Sequence, residues 1–442
     1  MSNGAFRFPP MIETRLGNGL TSIWAPDREQ PGMVIAFQIP YGKFCDPNGK
    51  EGIADLAVAL IQKGPKGIAS EQFAEKLEFT GASLFSEVGD EHIIIGAQFL
   101  TRFTDVILPL FWDLVCNPSL DEKEFGLLKK EMITATQAEV IDPGIMVRKH
   151  FYAALFGIGH PAGRSHTVSS LKRLSIDDIR AFYRERFFPD GAYLVSAGDI
   201  DTEKMRNVWE PRFSAWKAQG NSKVIIPPVN KNLEKSVVRV IDNPDLSQTS
   251  VALGHFMPGE VDEDRETIAI ANYILGGGNF SSRLMAKVRS DKGKTYGIAS
   301  QLSCNRDIGA FMITTSTQNN QVRDVLATIF SAYRQFSEKG ASQDELTKAK
   351  QYAVGSMAFQ LEGIGNITEK LLWLRLFGRK NEYIETFDQR IAAITSDELN
   401  RIIKHHLSET RFIISAVGKK DEILRHFGEY GSVKVYNFRD DP

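Results

Sequence analysis

The sequence predicts an α+β fold built from two homologous halves, each a mixed, mostly antiparallel sheet with helices on one face. Three observations carry this reading. First, two segments match without a gap: "LSIDDIRAFYRERFFPDGAYLVSAGDI" from Leu174 and "ITSDELNRIIKHHLSETRFIISAVGKK" from Ile394, with Ser175 opposite Thr395, Asp177 opposite Asp397 and Gly198 opposite Gly418. Cap, helix, turn, strand and glycine recur in one order at one offset, the mark of an internal duplication. Second, strands and amphipathic helices alternate in both halves. Several neighbouring strands are joined by short turns, which disfavours a doubly wound parallel sheet. Third, "KAQGNSKVIIPPVNKNLEK" is polar and contains Pro-Pro, so it reads as a linker. The expected domains are therefore residues 1–220 and 235–442, with a linker at 221–234.

Each element has its own signal. In the first half "LTSIWA", "MVIAFQIPYG" and "HIIIGAQFL" read as strands, and 52–63, 70–80, 103–116 and 121–138 as helices. Within "GIADLAVALIQKGP" (52–65), Ile53, Leu56, Ala57, Leu60 and Ile61 fall on one helical face. Gly64-Pro65 then stops the helix, because glycine suits a C-terminal cap and proline cannot continue. "MVIAFQIP" is a candidate edge strand. In the second half "SVVRVID", "TSVALGHF" and "GAFMITTST" read as strands, and 264–276, 281–290, 320–338 and 342–360 as helices. The repeated segments each open on a capping box, Ser175 with Asp178 and Thr395 with Glu398, and end in the strands "AYLVSAG" and "RFIISAVG". "LGGGNF" (275–280) lacks the phosphate-loop pattern and follows a helix, so it reads as a helix end and tight turn.

Bulk properties exclude some functions. Lys+Arg total 53 against 55 Asp+Glu, a net charge of −2. That balance gives no electrostatic reason for a nucleic acid or an anionic membrane as partner. Cys45, Cys116 and Cys304 are far apart and form no CxxC, so they read as thiols without a metal role. No stretch approaches the ~20 apolar residues of a membrane span.

"LGNGLTSIWAPD", "PYGKFCDPNGKEGIADL", "ALFGIGHPAGRSHTVSSLKRLSIDDIRAFYRERFFPDGAYLVSAGDI" and "LGGGNFSSRLMAKVRSDKGKTYGIAS" occur in this order. In that order, and over nearly the whole chain, the protein resembles the pitrilysin family of zinc peptidases, in the branch of the processing peptidases. Active members of that family carry His-x-x-Glu-His on the helix found here at 52–64. Two histidines a turn apart ligate zinc, the glutamate takes a proton from the metal-bound water, and a later glutamate completes the ligands. The resemblance puts Asp55 at the first histidine, Val58 at the glutamate, Ala59 at the second histidine and Ala135 at the last ligand. One carboxylate remains of four functional groups, and a lone Asp does not hold zinc. The eight histidines offer no substitute: His405 and His406 are adjacent and diverge on a helix, His160 and His166 flank a turn, and the others are isolated.

One feature of the family's site persists. Arg289 and Tyr296 occupy positions where the resemblance implies an arginine–tyrosine pair that reaches the substrate beside the zinc. Both are suitable donors to a peptide carbonyl or oxyanion. The resemblance thus implies a catalytically inactive, non-zinc-binding subunit of a heterodimeric metallopeptidase. Such a chain has no cofactor of its own. Zinc is expected in a homologous active partner, and peptide is the substrate of a chamber that this chain half lines. The alternatives are a non-enzymatic core-type subunit of a larger complex and a homodimeric peptide-binding protein.

Overall fold

The computed structural model describes residues 6–220, 224, 226–229, 235–289 and 295–441. Of the linker expected at 221–234, only residues 224 and 226–229 are therefore described. In chain order the principal elements of the first part are β1 (Ile12–Arg15), β2 (Thr21–Pro26), β3 (Gly32–Ile39), α1 (Ile53–Ile61), α2 (Ser70–Thr80), β4 (Ser83–Val88), β5 (Ile93–Leu100), α3 (Thr104–Cys116), α4 (Glu122–Glu139), α5 (Pro143–Phe156), α6 (Ile176–Arg186) and β6 (Tyr193–Gly198). There follow β7 (Val237–Asp242), β8 (Gln248–Pro258), α7 (Arg265–Asn272), α8 (Arg283–Arg289), β9 (Thr295–Cys304), β10 (Ile308–Gln318), α9 (Val322–Lys339), α10 (Gln343–Phe359), α11 (Ile364–Leu376), α12 (Ser396–His406), β11 (Ile413–Gly418) and β12 (Ser432–Asn437). Among the described residues no helix is long and apolar enough to cross a membrane.

The chain forms two compact units, and neither is contiguous in sequence. One takes the chain up to Thr136, His166–Ile226 and Met357–Thr386; the other takes Gln137–Ser165, Pro227–Ser356 and the chain from Phe387. The exchanged pieces carry α11 and α5.

The first unit holds a six-stranded sheet in the order β1-β2-β6-β3-β5-β4, in which only the β2–β6 pair is parallel. One face is its main core: Trp24, Phe37, Ile95 and Leu194 of the strands meet Leu56 and Leu60 of α1, Phe111 of α3 and Ile179 of α6. The alternate residues Ile23, Ala25, Val34, Ala36, Val195 and Ala197 point the other way and are buried too, and α11 packs across β3 and β6. This explains why β3 is buried along nearly its whole length. The candidate edge strand "MVIAFQIP" is in fact central, between β6 and β5. A run that is apolar on both faces belongs inside a sheet, not at its rim.

The second unit repeats the plan in the order β12-β7-β11-β8-β10-β9. Val251, Leu253, Phe311, Ile313 and Ile414 face the layer of α7, α9 and α12. Ala252, Ala310, Met312, Ile413 and Val417 face α5 through Met146, Val147, Phe151 and Leu155. The one difference in pairing is at the outer strand: β12 runs parallel to β7, whereas β1 is antiparallel to β2. The duplication is visible in the elements, since α6 and β6 recur as α12 and β11 with every bound shifted by 220 residues. The caps differ in detail. Ser175 and Asp178 exchange both hydrogen bonds, whereas Thr395 accepts from the Glu398 N–H without a return bond being present.

Candidate functional site

Helix α1 is held by its packing. Seven of its nine residues are buried, Ile53, Ala54, Leu56, Ala57, Val58, Leu60 and Ile61. Its large aliphatic side chains each contribute about 1.5–3 kcal/mol by burial. Its entry is fixed by glycine and a carboxylate. Gly52 has φ +97°, and a Cβ there would lie 2.7 Å from Leu171 and 3.3 Å from Met132 of α4. The buried Asp46 accepts hydrogen bonds from the N–H groups of Gly52 at 2.7 Å and Ala54 at 3.2 Å. Burial pushes the Asp46 carboxyl up to about 7, against the pull of the Gly52 N–H; the charge of Asp55 adds to the rise.

The four positions that the resemblance sets against zinc chemistry lie on this helix and on α4. Asp55 is partly buried, and Lys43 Nζ stands 3.4 Å from its Oδ1. Ala59 follows four residues later on the same face and is partly buried. Val58 is only 2% exposed and packs in the core. Ala135 is exposed on α4, one turn beyond the Met132 that abuts Gly52. This donor set offers one carboxylate, already paired with an ammonium, and two methyl groups and an isopropyl group. It does not fit zinc, which takes three or four N, O or S ligands, and Val58 cannot move a proton. The edge strand β4 adjoins α1.

Arg289 is the last residue of α8 and Tyr296 the second of β9; the side chains of both lie outside the described residues, as do residues 290–294. The flanking backbone is firmly held. Arg283, at the start of α8, makes a two-pronged bond to Glu345 at 2.6 and 2.7 Å and donates to the Gly340 carbonyl at 2.9 Å. That guanidinium is the main cause that holds the Glu345 carboxyl down to about 2. Thr295, first in β9, contacts the Thr315 hydroxyl at 2.9 Å and donates to the Ser316 carbonyl at 2.7 Å, beside a bulge between Thr315 and Thr317. A cavity of about 370 Å³ lies at this end of the sheet, lined by Ser250, Met285, Gly297, Ile298 and Thr315 with Arg148 of α5.

The histidines mostly serve structure. His160 Nδ1 accepts from the Ala162 N–H at 3.1 Å, in the turn expected of it. The buried His255 is held between Tyr333 and the Phe256 carbonyl, and burial lowers it to about 4. His406 departs from the sequence reading: it does converge with other groups, since its Nε2 is 3.0 Å from Asp264 Oδ2 and Asp262 completes a cluster able to hold a metal ion. Arg401, 3.5 Å from Asp264, already balances that charge. Adjacent histidines hid this convergence, which depends on residues far away in sequence. The Lys43–Asp55 pair and the Asp46 anchor were also missed, although the closeness of Lys43, Asp46 and Asp55 in sequence is a signal of sorts.

Comparison with known proteins places this architecture. Residues 173–352 match the family described as the peptidase M16 inactive domain. An uncharacterized zinc protease of Streptomyces coelicolor is 26% identical over 81% of this chain and 79% of its own length. A non-peptidase homolog, YmxG of Helicobacter pylori, is 24% identical over 86% of this chain and 88% of its own. Among solved structures, a peptidase M16 inactive domain from Pseudomonas fluorescens superposes with a TM-score of 0.85 at 22% identity, covering 93% of this chain and 98% of that one. Residues 173–352 thus match the peptidase M16 inactive domain, and along most of its length the chain is similar to an uncharacterized zinc protease and a non-peptidase homolog, on a fold shared with an M16 inactive-domain structure.

Proposed function

We propose that this chain is the inactive subunit of a heterodimeric zinc metallopeptidase. A homologous partner with an intact His-x-x-Glu-His motif supplies the zinc, and this chain forms half of the peptide-binding chamber. The observation that carries the reading is the α1 helix: it is well packed and anchored, while the positions that the resemblance assigns to zinc ligands and base hold Val58, Ala59, Ala135 and an Asp55 paired with Lys43. A fold kept without its chemistry fits a wall and an assembly surface. The non-peptidase homolog among the relatives is consistent with this.

In the proposed complex the partner's zinc would polarise the scissile carbonyl and activate water. Arg289 and Tyr296 would donate hydrogen bonds to the substrate carbonyl, which gains negative charge as water attacks. Donors aimed at developing charge act mainly on the transition state. The test is co-expression with a homologous chain that retains His-x-x-Glu-His. The reading expects a 1:1 complex that cleaves peptides, with neither Arg289→Ala nor Tyr296→Phe impairing assembly. Two chains that stay monomeric together at micromolar concentration would sink it; a complex without peptidase activity would favour the core-type structural role.

A further inference from the structure

Strand β12 closes one edge of the second sheet without burying a single residue: every position from Gly431 to Asp441 is exposed or half-exposed. Beneath it lie two polar groups that lack hydrogen-bond partners. His150 of α5 is 0% exposed, and neither of its ring nitrogens is paired. Nη1 of Arg239 on β7 is buried and unpaired as well. The same ring covers both. The Tyr436 ring centre is 5.2 Å from that of His150, and Arg239 Cζ lies 5.1 Å from it.

We propose that β12 is a releasable edge strand, held over the buried, unpaired ring nitrogens of His150 and Nη1 of Arg239, so that lifting it returns these groups to water and bares the edge of β7. A buried donor without an acceptor forfeits the hydrogen bonds that water gave it, so the closed state is the one that suffers. What holds β12 down is six backbone pairings to β7, the stacking of Arg239 on Tyr436, and contacts of half-exposed Val433 and Phe438. Such a segment belongs at the low end of local stability. The edge it uncovers is the kind to which an extended peptide adds.

The arrangement also makes release sensitive to acid. The groups that face His150 are Arg239 from β7, Tyr436 from β12 and Asp440 just beyond it. Burial, and then the Arg239 charge, push His150 down to about 4 in the closed state; Asp440 pulls the other way. In water its pKa returns to ~6.5. Between these values the released state binds more protons, so acidification favours release. From pH 7.5 to 5.5 the ratio of released to closed β12 should rise about tenfold.

Hydrogen exchange of the intact protein, corrected for the intrinsic pH dependence of exchange, tests this. The peptide over 431–441 is followed at pH 7.5 and 5.5, with 413–418 of β11 as internal control. His150→Phe keeps a ring in place and removes both nitrogens; Arg239→Met is the second variant. The proposal expects faster exchange in 431–441 than in 413–418 and a roughly tenfold acid response in the wild-type chain. It further expects, in His150→Phe, loss of that response and slower exchange of 431–441 at pH 7.5, whereas Arg239→Met, which keeps the imidazole, retains an acid response. It is overturned if β12 is as protected as β11 at both pH values. It is equally overturned if His150→Phe keeps the acid response, or if 413–418 opens in step with 431–441.

Discussion

Replacing Asp46 by alanine removes the acceptor that fixes the entry of α1, and its cost can be worked from two contacts. The N–H groups of Gly52 and Ala54, at 2.7 and 3.2 Å from the carboxylate, would be left without their acceptor. Each unmatched buried donor costs about 1–3 kcal/mol, and partial relaxation brings the expected loss to about 3 kcal/mol. Urea unfolding followed by tryptophan fluorescence reads this change selectively. All five tryptophans, Trp24, Trp112, Trp209, Trp216 and Trp373, lie in the first unit. The pH dependence supplies a second readout. The folded pKa of Asp46, about 7, stands above the ordinary ~3.9 of the unfolded chain. Between those values the folded state holds more protons, so this group's contribution is full below pH ~4 and is lost as pH rises through about 7. The advantage of the wild-type chain over Asp46→Asn should therefore shrink from pH 4 to 7. An Asp46→Ala loss below ~0.5 kcal/mol, or an advantage over Asp46→Asn that grows with pH, would refute the reasoning.

Three further outcomes are expected. Val58→Glu alone puts a carboxylate at a site 2% exposed and should cost about 3–5 kcal/mol by the same fluorescence assay. The combined variant Asp55→His, Val58→Glu, Ala59→His, Ala135→Glu should retain zinc after dialysis and gain stability when zinc is added. At a hundredfold excess over Kd the gain is about 2.7 kcal/mol; elemental analysis finding no zinc would argue against the assignment of those positions. Arg283→Lys should cost about 1–2 kcal/mol by circular dichroism, because a lysine cannot make the two-pronged bond to Glu345. Since Glu345 is held down to about 2, the wild-type advantage should be full above pH ~4.3 and fade as pH falls toward 2.

Much of this fold is legible in the sequence, and what escapes does so for physical reasons. The repeat that begins at Leu174 and Ile394 states a local unit twice, and local signals of cap, periodicity and turn are enough to place α6, β6, α12 and β11. The edge strands β1, β4, β9 and β12 escape because half-exposed strands such as "SVKVYN" lack a strong apolar alternation. The exchange of α5 and α11 between units escapes altogether. Nothing in "PGIMVRKHFYAALF" states which sheet its apolar face will meet, and the choice belongs to tertiary packing. The candidate site divides in the same way. That Val58, Ala59 and Ala135 offer no metal-binding atom is readable from residue identity. The pairing of Asp55 with Lys43 and the meeting of His406 with Asp262 and Asp264 need the folded chain.

Action in trans by this chain turns on the Tyr296 hydroxyl, and Tyr296→Phe isolates it. The change deletes one hydroxyl and keeps the ring. The measurement is kcat of the 1:1 complex with a homologous chain bearing His-x-x-Glu-His, with gel filtration as the control for assembly. Loss of one oxyanion donor typically costs 10²–10³ in rate. Action in trans requires a fall of about 10² in kcat, with KM little changed and the complex intact. A complex that assembles normally and keeps full turnover on several peptides would contradict it, leaving this chain as a wall of the chamber and nothing more.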